Sequence, residues 1–202
     1  MTVTQIEPVG KSRSKVYIDE QLAFVLYKGE LCHYGIKEGC VLSEDTYGEI
    51  MEVVLVKRAK LRCMNLLKTM DRTEFQLRQK LIQGEYPEEI IDKALEYVKG
   101  FGYVDDMSYA RRYLECRQNT RSRAEISRDL MKKGISKEII RTVLEETEAV
   151  DQTELIKKWI VKKHMNLQTV SAQEKQKLYM FLLRKGFSSS EIMKVFHEIC
   201  LR

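Results

Sequence analysis

The chain has 202 residues, a formal net charge of +5, 44% hydrophobic and 32% charged residues, and only 2 prolines. High charge with so few prolines favours helices with charged surfaces over a sandwich or barrel. No apolar run approaches the roughly 18 residues of a membrane span, and the N-terminus lacks the apolar core of a signal peptide. We therefore expect a soluble, cytoplasmic, mostly helical protein.

The first predicted element is a small β-hairpin. The first fifteen residues are polar, and we expect them to be loose. Two β-prone runs, Val16–Ile18 and Leu22–Tyr27, then flank the turn-prone pair Asp19-Glu20, which is the pattern of a hairpin. Such a hairpin is not stable alone and must pack on something. A short helical piece is expected near Glu30–Tyr34.

A helical period begins after Ser43 and predicts a helix over about 46–70. Beyond it the sequence repeats itself, in segments that begin at Thr73, Ser122 and Glu174. Each segment reads as an amphipathic helix, a glycine suited to the left-handed turn after a helix, and a second amphipathic helix. The glycines are Gly84, Gly134 and Gly186. One further helix precedes each of the later pairs, at about 106–118 and 152–165.

The helix starts carry capping residues. Three pairs fit the S/T-x-x-E/Q capping box: Thr73 with Gln76, Ser122 with Glu125, and Ser171 with Glu174. Pro87 suits the first helical position, where its missing N–H has no partner in any case, and Ser136 and Ser189 stand at the equivalent places.

These patterns predict an all-α fold of tandem three-helix repeats in an elongated, curved array, preceded by the small N-terminal β-hairpin. Neighbouring repeats are expected to share their cores. The predicted modules are the N-terminal region 1–45 and repeats 46–104, 105–149 and 150–202.

The adjacent acids Asp105 and Asp106 raise the question of a catalytic or metal site. Carboxylates that converge on a helix are three or four residues apart, whereas neighbours point about 100° apart. Helix capping is the favoured interpretation, with Asp105 bonding the N–H groups of residues 107–108 and Asp106 facing the positive end of the helix dipole. A contact with a partner remains the alternative.

The sequence contains no catalytic constellation. It has no GxxxxGK[ST], GxGxxG or GxSxG motif, and its 3 histidines have no nucleophile or acid nearby in sequence. The 5 cysteines are widely spaced without a CxxC pair, which indicates free thiols instead of disulfides or a zinc site. We therefore predict no enzyme activity, no cofactor and no metal.

Positive charge is concentrated in the middle and the tail. Residues 1–50 hold 5 Lys/Arg against 8 Asp/Glu, residues 107–134 hold 8 against 3, and residues 151–202 hold 10 against 5. This distribution suggests a polyanion contact, although solvated helix faces have the same composition. The candidate contact residues are Arg111, Arg112, Arg117, Arg121, Arg123, Arg128, Lys132, Lys133, Lys158 and Lys162.

Among these candidates, Arg121, Arg128 and Lys132 are predicted to share one helix face, at i, i+7 and i+11, and to contact DNA or an acidic protein. Arg111 is expected to pair with Glu115 one turn on. Aromatic residues nearby, Tyr109, Tyr113 and Trp159, could stack on bases, but their helical spacing favours core packing.

Two stretches resemble the RecX family of bacterial recombination regulators. They are GYVDDMSYARRYL, with the family's Gly-Tyr-hydrophobic-Asp-Asp segment, and the arginine-rich TRSRAEISRDLMKKGI. The family's Gly-Pro before these arginines is replaced by Thr120-Arg121-Ser122. The resemblance runs from about Val16 onward, and its motif positions are Gly102, Tyr103, Asp105, Asp106 and Gly134.

The resemblance implies a monomeric helical protein that binds the RecA–DNA filament and single-stranded or duplex DNA without sequence preference. It further implies inhibition of RecA strand exchange and ATP hydrolysis, without covalent chemistry and without a membrane partner. The residues leave open an alternative, a helical DNA-binding module or transcription regulator unrelated to RecA, because the Ser122–Leu144 helix pair permits a helix-turn-helix.

Overall fold

The computed structural model describes residues 1–147 and 151–200. The chain divides into two compact units, Met1–Asp105 and Asp106–Arg202. The first unit begins with a three-stranded antiparallel sheet in the order β1-β2-β3. Its strands are β1 Val3–Val9, β2 Arg13–Ile18 and β3 Gln21–Tyr27.

The predicted hairpin is confirmed as β2–β3. Ile18 pairs with Gln21, so Asp19 and Glu20 form a two-residue turn. Their φ angles of 48° and 67° are those that let such a turn match the twist of its strands.

The expectation of a loose N-terminus is wrong, because residues Val3–Val9 form the edge strand of this sheet. The register of β1 on β2 shifts between Val3 and Gln5, so the strand contains a bulge or irregularity. Such a shift disrupts the strict alternation of apolar and polar residues that a strand search depends on. Val3 is completely buried and contributes to the core of the unit.

The first unit also contains five α-helices and a π-helical segment in its described residues. The helix predicted over 46–70 runs from Glu44 to Thr69, with π-helical geometry over Ile50–Leu55. Sheet and helices enclose one core, to which Val3, Phe24 and Leu95 all belong. The helices are α1 Lys28–His33, α2 Glu44–Glu49, α3 Val56–Thr69, α4 Glu74–Ile82 and α5 Glu88–Gly100.

Arg58 of α3 anchors the sheet to the helices. Its guanidinium donates to the backbone carbonyl of Val25 at 2.9 Å, pairs with Glu30 at 2.5 Å, and lies 4.7 Å from the ring centroid of Tyr27. These contacts join β3, α1 and α3, which explains how the hairpin gains the packing partner that it needs.

Two local predictions for the first repeat are wrong by one residue. The left-handed residue after α4 is Glu85, with φ 59°, and not Gly84. Gly84 is needed for close approach instead, because a Cβ there would lie 2.9 Å from Cε2 of Tyr86. Pro87 is extended, with ψ 146°, and precedes the first helical residue Glu88 as its N-cap.

The second unit contains six helices in its described residues, and they form the second and third three-helix repeats. The buried apolar residues of the two repeats form separate clusters, one around Leu114 and Ile126 and the other around Ile156 and Leu182. The expectation of a shared core is therefore wrong for these two repeats. The helices are α6 Asp106–Arg117, α7 Arg123–Lys132, α8 Lys137–Glu146, α9 Gln152–Lys162, α10 Ala172–Arg184 and α11 Ser189–Cys200.

The capping predictions hold with two differences. Thr73 and Ser171 form complete capping boxes. Ser122 accepts from the N–H of Glu125, but the Glu125 carboxylate binds Lys185. Ser136 is the N-cap of α8 and not its first helical residue. Ser189 is the first residue of α11, as predicted, and the hydroxyl of the preceding Ser188 accepts from the N–H of Glu191 at 3.2 Å.

Candidate nucleic-acid interface

The paired acids of the motif lie at the start of α6. Gly102 has φ 68°, and its N–H bonds the carbonyl of Lys99 at 2.8 Å, so it ends α5 in the left-handed turn expected of a glycine. The helix begins at Asp106, with Asp105 immediately before it, at the position where a side chain caps a helix. The described residues include no group of three His, Cys, Asp or Glu placed to hold a metal ion.

Arg111 does not pair with Glu115. Its guanidinium donates to Oε2 of Glu146 at 2.8 Å and 3.2 Å, across 35 residues of sequence. Helix α6 packs against α8, so the last turn of α8 brings Glu146 to Arg111. The helical spacing had indicated Glu115, one turn along the same helix, as the partner. Arg112 is exposed on α6 and also has an interaction partner.

Arg121 does not lie on the predicted helix face, because α7 begins only at Arg123. Its guanidinium forms an ion pair with Asp129, and the hydroxyl of Tyr113 donates to the same carboxylate at 3.2 Å. Burial and the nearby Asp129 raise the pKa of Tyr113. Arg121 therefore serves the packing of the second repeat and is a poor candidate for an external phosphate.

Arg123 and Arg128 are also occupied by the protein itself. The Arg123 guanidinium donates to the carbonyls of Leu144 at 3.1 Å and Thr147 at 2.8 Å, and so satisfies carbonyl groups at the end of α8. Arg128 donates to the carbonyls of Ala124 and Arg184, each at 3.2 Å. The contacts to the carbonyls of Leu144, Thr147 and Arg184 arise from tertiary packing and have no signature in the helical period, whereas the bond from Arg128 to Ala124 lies within α7.

The tyrosines of α6 pack as predicted. Tyr109 and Tyr113 lie against the core of the second repeat with their rings 6.4 Å apart and 13° from parallel. Lys133 lies over both rings, at 5.9 Å and 5.5 Å from their centroids. Its ammonium is therefore held against the protein by the aromatic faces.

Four of the ten candidate cations are exposed and have neither an ion pair nor a side-chain hydrogen bond to any residue that the structure describes: Arg117, Lys132, Lys158 and Lys162. Two of them, Lys158 and Lys162 on α9, line a shallow cavity of about 170 Å³ together with Asn119 and Thr120 of the α6–α7 loop. We call these four lining residues, with Arg117 at the end of α6, the α9 surface.

Trp159 also lines the cavity of the α9 surface. It is half-buried against the core of the third repeat, with its ring centroid 5.5 Å from that of Phe181 and nearly perpendicular to it. Lys162 and Lys185 lie over it, at 5.0 Å and 4.9 Å from the centroid. Packing thus accounts for the indole, and the cations above it are positioned by its face.

The sequence patterns did not single out a group of three neighbouring aromatic rings at the end of α5, those of Tyr97, Phe101 and Tyr103. Phe101 and Tyr103 are 62% and 51% exposed, and their rings stack at 6.0 Å. The ring centroids of Tyr97 and Phe101 are 4.8 Å apart, and Nζ of Lys60 lies 4.5 Å from the centroid of the Tyr97 ring. The sequence did contain a signal for this patch. Tyr97 and Phe101 are four residues apart and so share a helix face, and that face differs from the one that carries the buried residues of α5. Aromatic rings grouped on an exposed face are unusual and indicate a contact surface.

Models of three RecX domains match the chain. They are described as the first, second and third three-helix domains of RecX and match residues 59–97, 105–144 and 150–196. The chain belongs to the RecX family. The resemblance carried by the Gly102–Leu114 segment is thereby confirmed, together with the prediction of a helical protein built from three-helix repeats.

Curated relatives extend the match to nearly the full length. The "Regulatory protein RecX" of Clostridium acetobutylicum is 32% identical over 205 residues, covering 98% of this chain and 96% of the relative. The protein of the same description from Caldanaerobacter subterraneus subsp. tengcongensis is 33% identical over 196 residues, covering 96% and 98%. These RecX relatives are named as regulatory proteins, not as enzymes.

Two solved RecX structures resemble the chain. A crystal structure of regulatory protein RecX is 27% identical and superposes with a TM-score of 0.65, covering 96% of this chain and 98% of that one. RecX from Lactobacillus salivarius, at 23% identity, has a TM-score of 0.61 over 74% of this chain and 99% of that one, which supports the fold alone. None of the described helices of this RecX-family chain is long and apolar enough to cross a membrane.

Proposed function

We propose that this chain binds the RecA–DNA filament and inhibits RecA strand exchange and ATP hydrolysis. The observation that carries the proposal is the α9 surface. There, Lys158 and Lys162 of the third repeat face the α6–α7 loop of the second, two residues beyond Arg117, with no acid pairing them in the described chain. Membership of a family of regulatory proteins supports a regulatory role over catalysis.

The chemistry of the α9 surface suits a polyanion. Lysine ammonium groups act as compact point charges toward phosphates, and the arginine adds a planar fork. Five of the ten sequence candidates, the arginines at 111, 112, 121, 123 and 128, already have acidic, carbonyl or other protein partners, and Lys133 lies over two tyrosine rings. Lys162 lies over the Trp159 ring but has no ion pair or hydrogen bond among the described residues, so the external contact is narrowed to Arg117, Lys132, Lys158 and Lys162. Binding without sequence preference follows, because phosphate contacts position a protein on a nucleic acid without reading its bases. A monomeric state and a cytoplasmic location belong to this proposal.

The test is a titration of RecA's DNA-dependent ATP hydrolysis with purified protein. The wild type should lower hydrolysis at amounts near or below those of RecA. The triple variant Arg117→Gln/Lys158→Gln/Lys162→Gln should need at least about tenfold more protein, since contacts between charged groups contribute about 1.5–3 kcal/mol each. No effect of the wild type on hydrolysis, strand exchange or filament length would reject the proposal.

A matched control is available in the first unit. Lys11, Lys57 and Lys68 are exposed and without ion pairs in the described chain, so changing all three to Gln removes the same charge. This control should inhibit like the wild type. The alternative of a transcription regulator would instead be supported by tight binding to a palindromic duplex with no response to RecA.

A further inference from the structure

A basic cleft lies in the first unit, where the sheet meets the first three-helix repeat. Its volume is about 400 Å³. Its walls are β2 and β3, helix α3, and the end of α4 with the turn that follows. The charged residues that line it are Arg13, Arg58, Arg62, Lys80 and Glu85. The charge distribution along the sequence does not point to this site, because the strongly basic stretches are residues 107–134 and 151–202.

Two of these charges are already matched. Glu85 pairs with Lys15 of β2 at 2.5 Å, and Arg58 pairs with Glu30 at 2.5 Å. Neither Arg13 nor Arg62 forms an ion pair with any described residue, and both are exposed. They therefore bring two uncompensated positive charges to one cleft.

Lys80 adds a third uncompensated charge. Its Nζ donates to Oε1 of Gln83 at 3.0 Å, and this neutral acceptor leaves the charge in place. The three cations come from β2, α3 and α4. The helices α3 and α4 are consecutive and contact each other, and the docking of the sheet adds Arg13 to their two cations. Grouping like charges in a cleft raises the local potential and attracts an anion.

The turn that forms one wall is held in an unfavourable conformation. Glu85 has φ 59°, in the left-handed region that a non-glycine residue adopts at a cost. Gly84 and the ring of Tyr86 pack so closely that a Cβ on Gly84 would lie 2.9 Å from the ring. Strain of this kind persists where the surrounding structure enforces it, and it is concentrated at ligand sites.

We propose that this cleft binds a phosphate group, carried by the backbone of a polynucleotide or by a free polyphosphate chain. Three cations from three different elements suit a tetrahedral phosphate, whose oxygens point in several directions. A planar carboxylate is satisfied by one arginine fork. The inference goes beyond the function proposed above, because it concerns the other unit and needs no RecA.

The test compares two double variants of the intact chain. Arg13→Gln/Arg62→Gln removes two charges from the cleft. Lys57→Gln/Lys68→Gln removes two exposed charges of α3 that lie outside the lining of the cleft. Binding of a labelled oligothymidylate and of inorganic tripolyphosphate is measured without RecA at several salt concentrations. Thermal unfolding checks that each variant is folded, and Lys80→Gln serves as the probe of the cleft if the first variant is not.

The cleft variant should bind oligothymidylate at least about tenfold more weakly than the wild type, since each lost contact involves a charged donor. Its plot of log affinity against log salt should be shallower by about 1.4, which corresponds to two phosphate contacts on a single strand. The control should match the wild type. Loss of tripolyphosphate binding alone, with oligothymidylate binding unchanged, would identify a free phosphate chain as the ligand.

Three results would overturn the proposal. One is equal weakening in both double variants, which would show that only overall charge matters. Another is the absence of binding of either probe to the wild type at low salt. The third is displacement by a polyglutamate peptide as efficient as displacement by tripolyphosphate at equal charge, because this would identify an acidic protein segment as the ligand.

Discussion

The hydroxyl of Ser122 donates a hydrogen bond of 2.5 Å to the backbone carbonyl of Lys185 and so joins the second three-helix repeat to the third. The same oxygen accepts the N–H of Glu125 at 3.1 Å and caps α7. Nζ of Lys185 lies 3.2 Å from Oε1 of Glu125. These polar contacts join two repeats whose buried apolar residues form separate clusters.

Replacing Ser122 with Ala should therefore destabilise the second unit more than loss of a helix cap does. We expect a loss of about 2–3 kcal/mol, which combines a missing N-cap with a carbonyl left without its partner. Ser136→Ala is the control, since Ser136 caps α8 and makes no contact between repeats among its described hydrogen bonds. It should cost about 1 kcal/mol in urea unfolding. Equal losses would mean that the bond to Lys185 contributes nothing.

Gly186→Ala should also destabilise the contact between these repeats. Gly186 has φ 89°, and a Cβ there would lie 2.8 Å from both Ala124 Cβ and Ser122 Oγ. Backbone strain and overpacking together should lower the free energy of unfolding by at least about 2 kcal/mol. Gly10→Ala, at φ 70° in open space, isolates the backbone contribution of about 1 kcal/mol. A loss at Gly186 no larger than at Gly10 would contradict this account.

Substitutions at Arg123 and Lys132 should distinguish a cation that stabilises the fold from one that is available to a partner. Arg123→Gln removes the donor to the carbonyls at the end of α8 and should lower the free energy of unfolding by about 1.5–3 kcal/mol. Lys132→Gln, at an exposed position, should change it by less than about 0.5 kcal/mol. Chemical denaturation measures both. If Arg123→Gln left the free energy of unfolding unchanged and weakened DNA binding, the structural role would be contradicted and Arg123 would be identified as a DNA contact.

The capping box of α10 should make the third repeat sensitive to acid. The N–H and hydroxyl of Ser171, each 2.9 Å from Oε2 of Glu174, lower the pKa of that carboxyl below its usual value. A carboxyl with a lowered folded-state pKa contributes stability above its unfolded pKa of about 4.3, and this contribution is lost as the pH falls through the folded value.

Glu174→Gln should therefore flatten the dependence of unfolding free energy on pH below about pH 5, because the amide accepts the same bonds without titrating. The capping box of α4 already uses Gln76 in this way. The reciprocal change, Gln76→Glu, should introduce acid sensitivity in the first repeat. Denaturation at a series of pH values measures both, and an unchanged slope in Glu174→Gln would show that the box does not titrate.

The repeats, the helix starts and the predicted hairpin could be read from the sequence because each depends on neighbours within about one turn or one strand pair. Ser122 and Ser171 cap their helices as the S/T-x-x-E/Q spacing indicates. The partners of the arginines could not be read in this way. Arg111 meets Glu146 rather than Glu115 because α6 and α8 pack together, and helical spacing carries no information about that contact.

The sequence by itself determined the helical repeats and the family, since local periodicity, caps and a short motif suffice for both. Only the tertiary structure decided which cations are available to a partner. Packing places carbonyls and acids beside Arg111, Arg121 and Arg123, and it leaves Lys158 and Lys162 exposed. Packing also gathers Arg13, Arg62 and Lys80 in one cleft of the first unit. The physical reason is that the interaction between two charges depends on the distance between them in space. Folding sets this distance, and the separation of the residues along the chain does not.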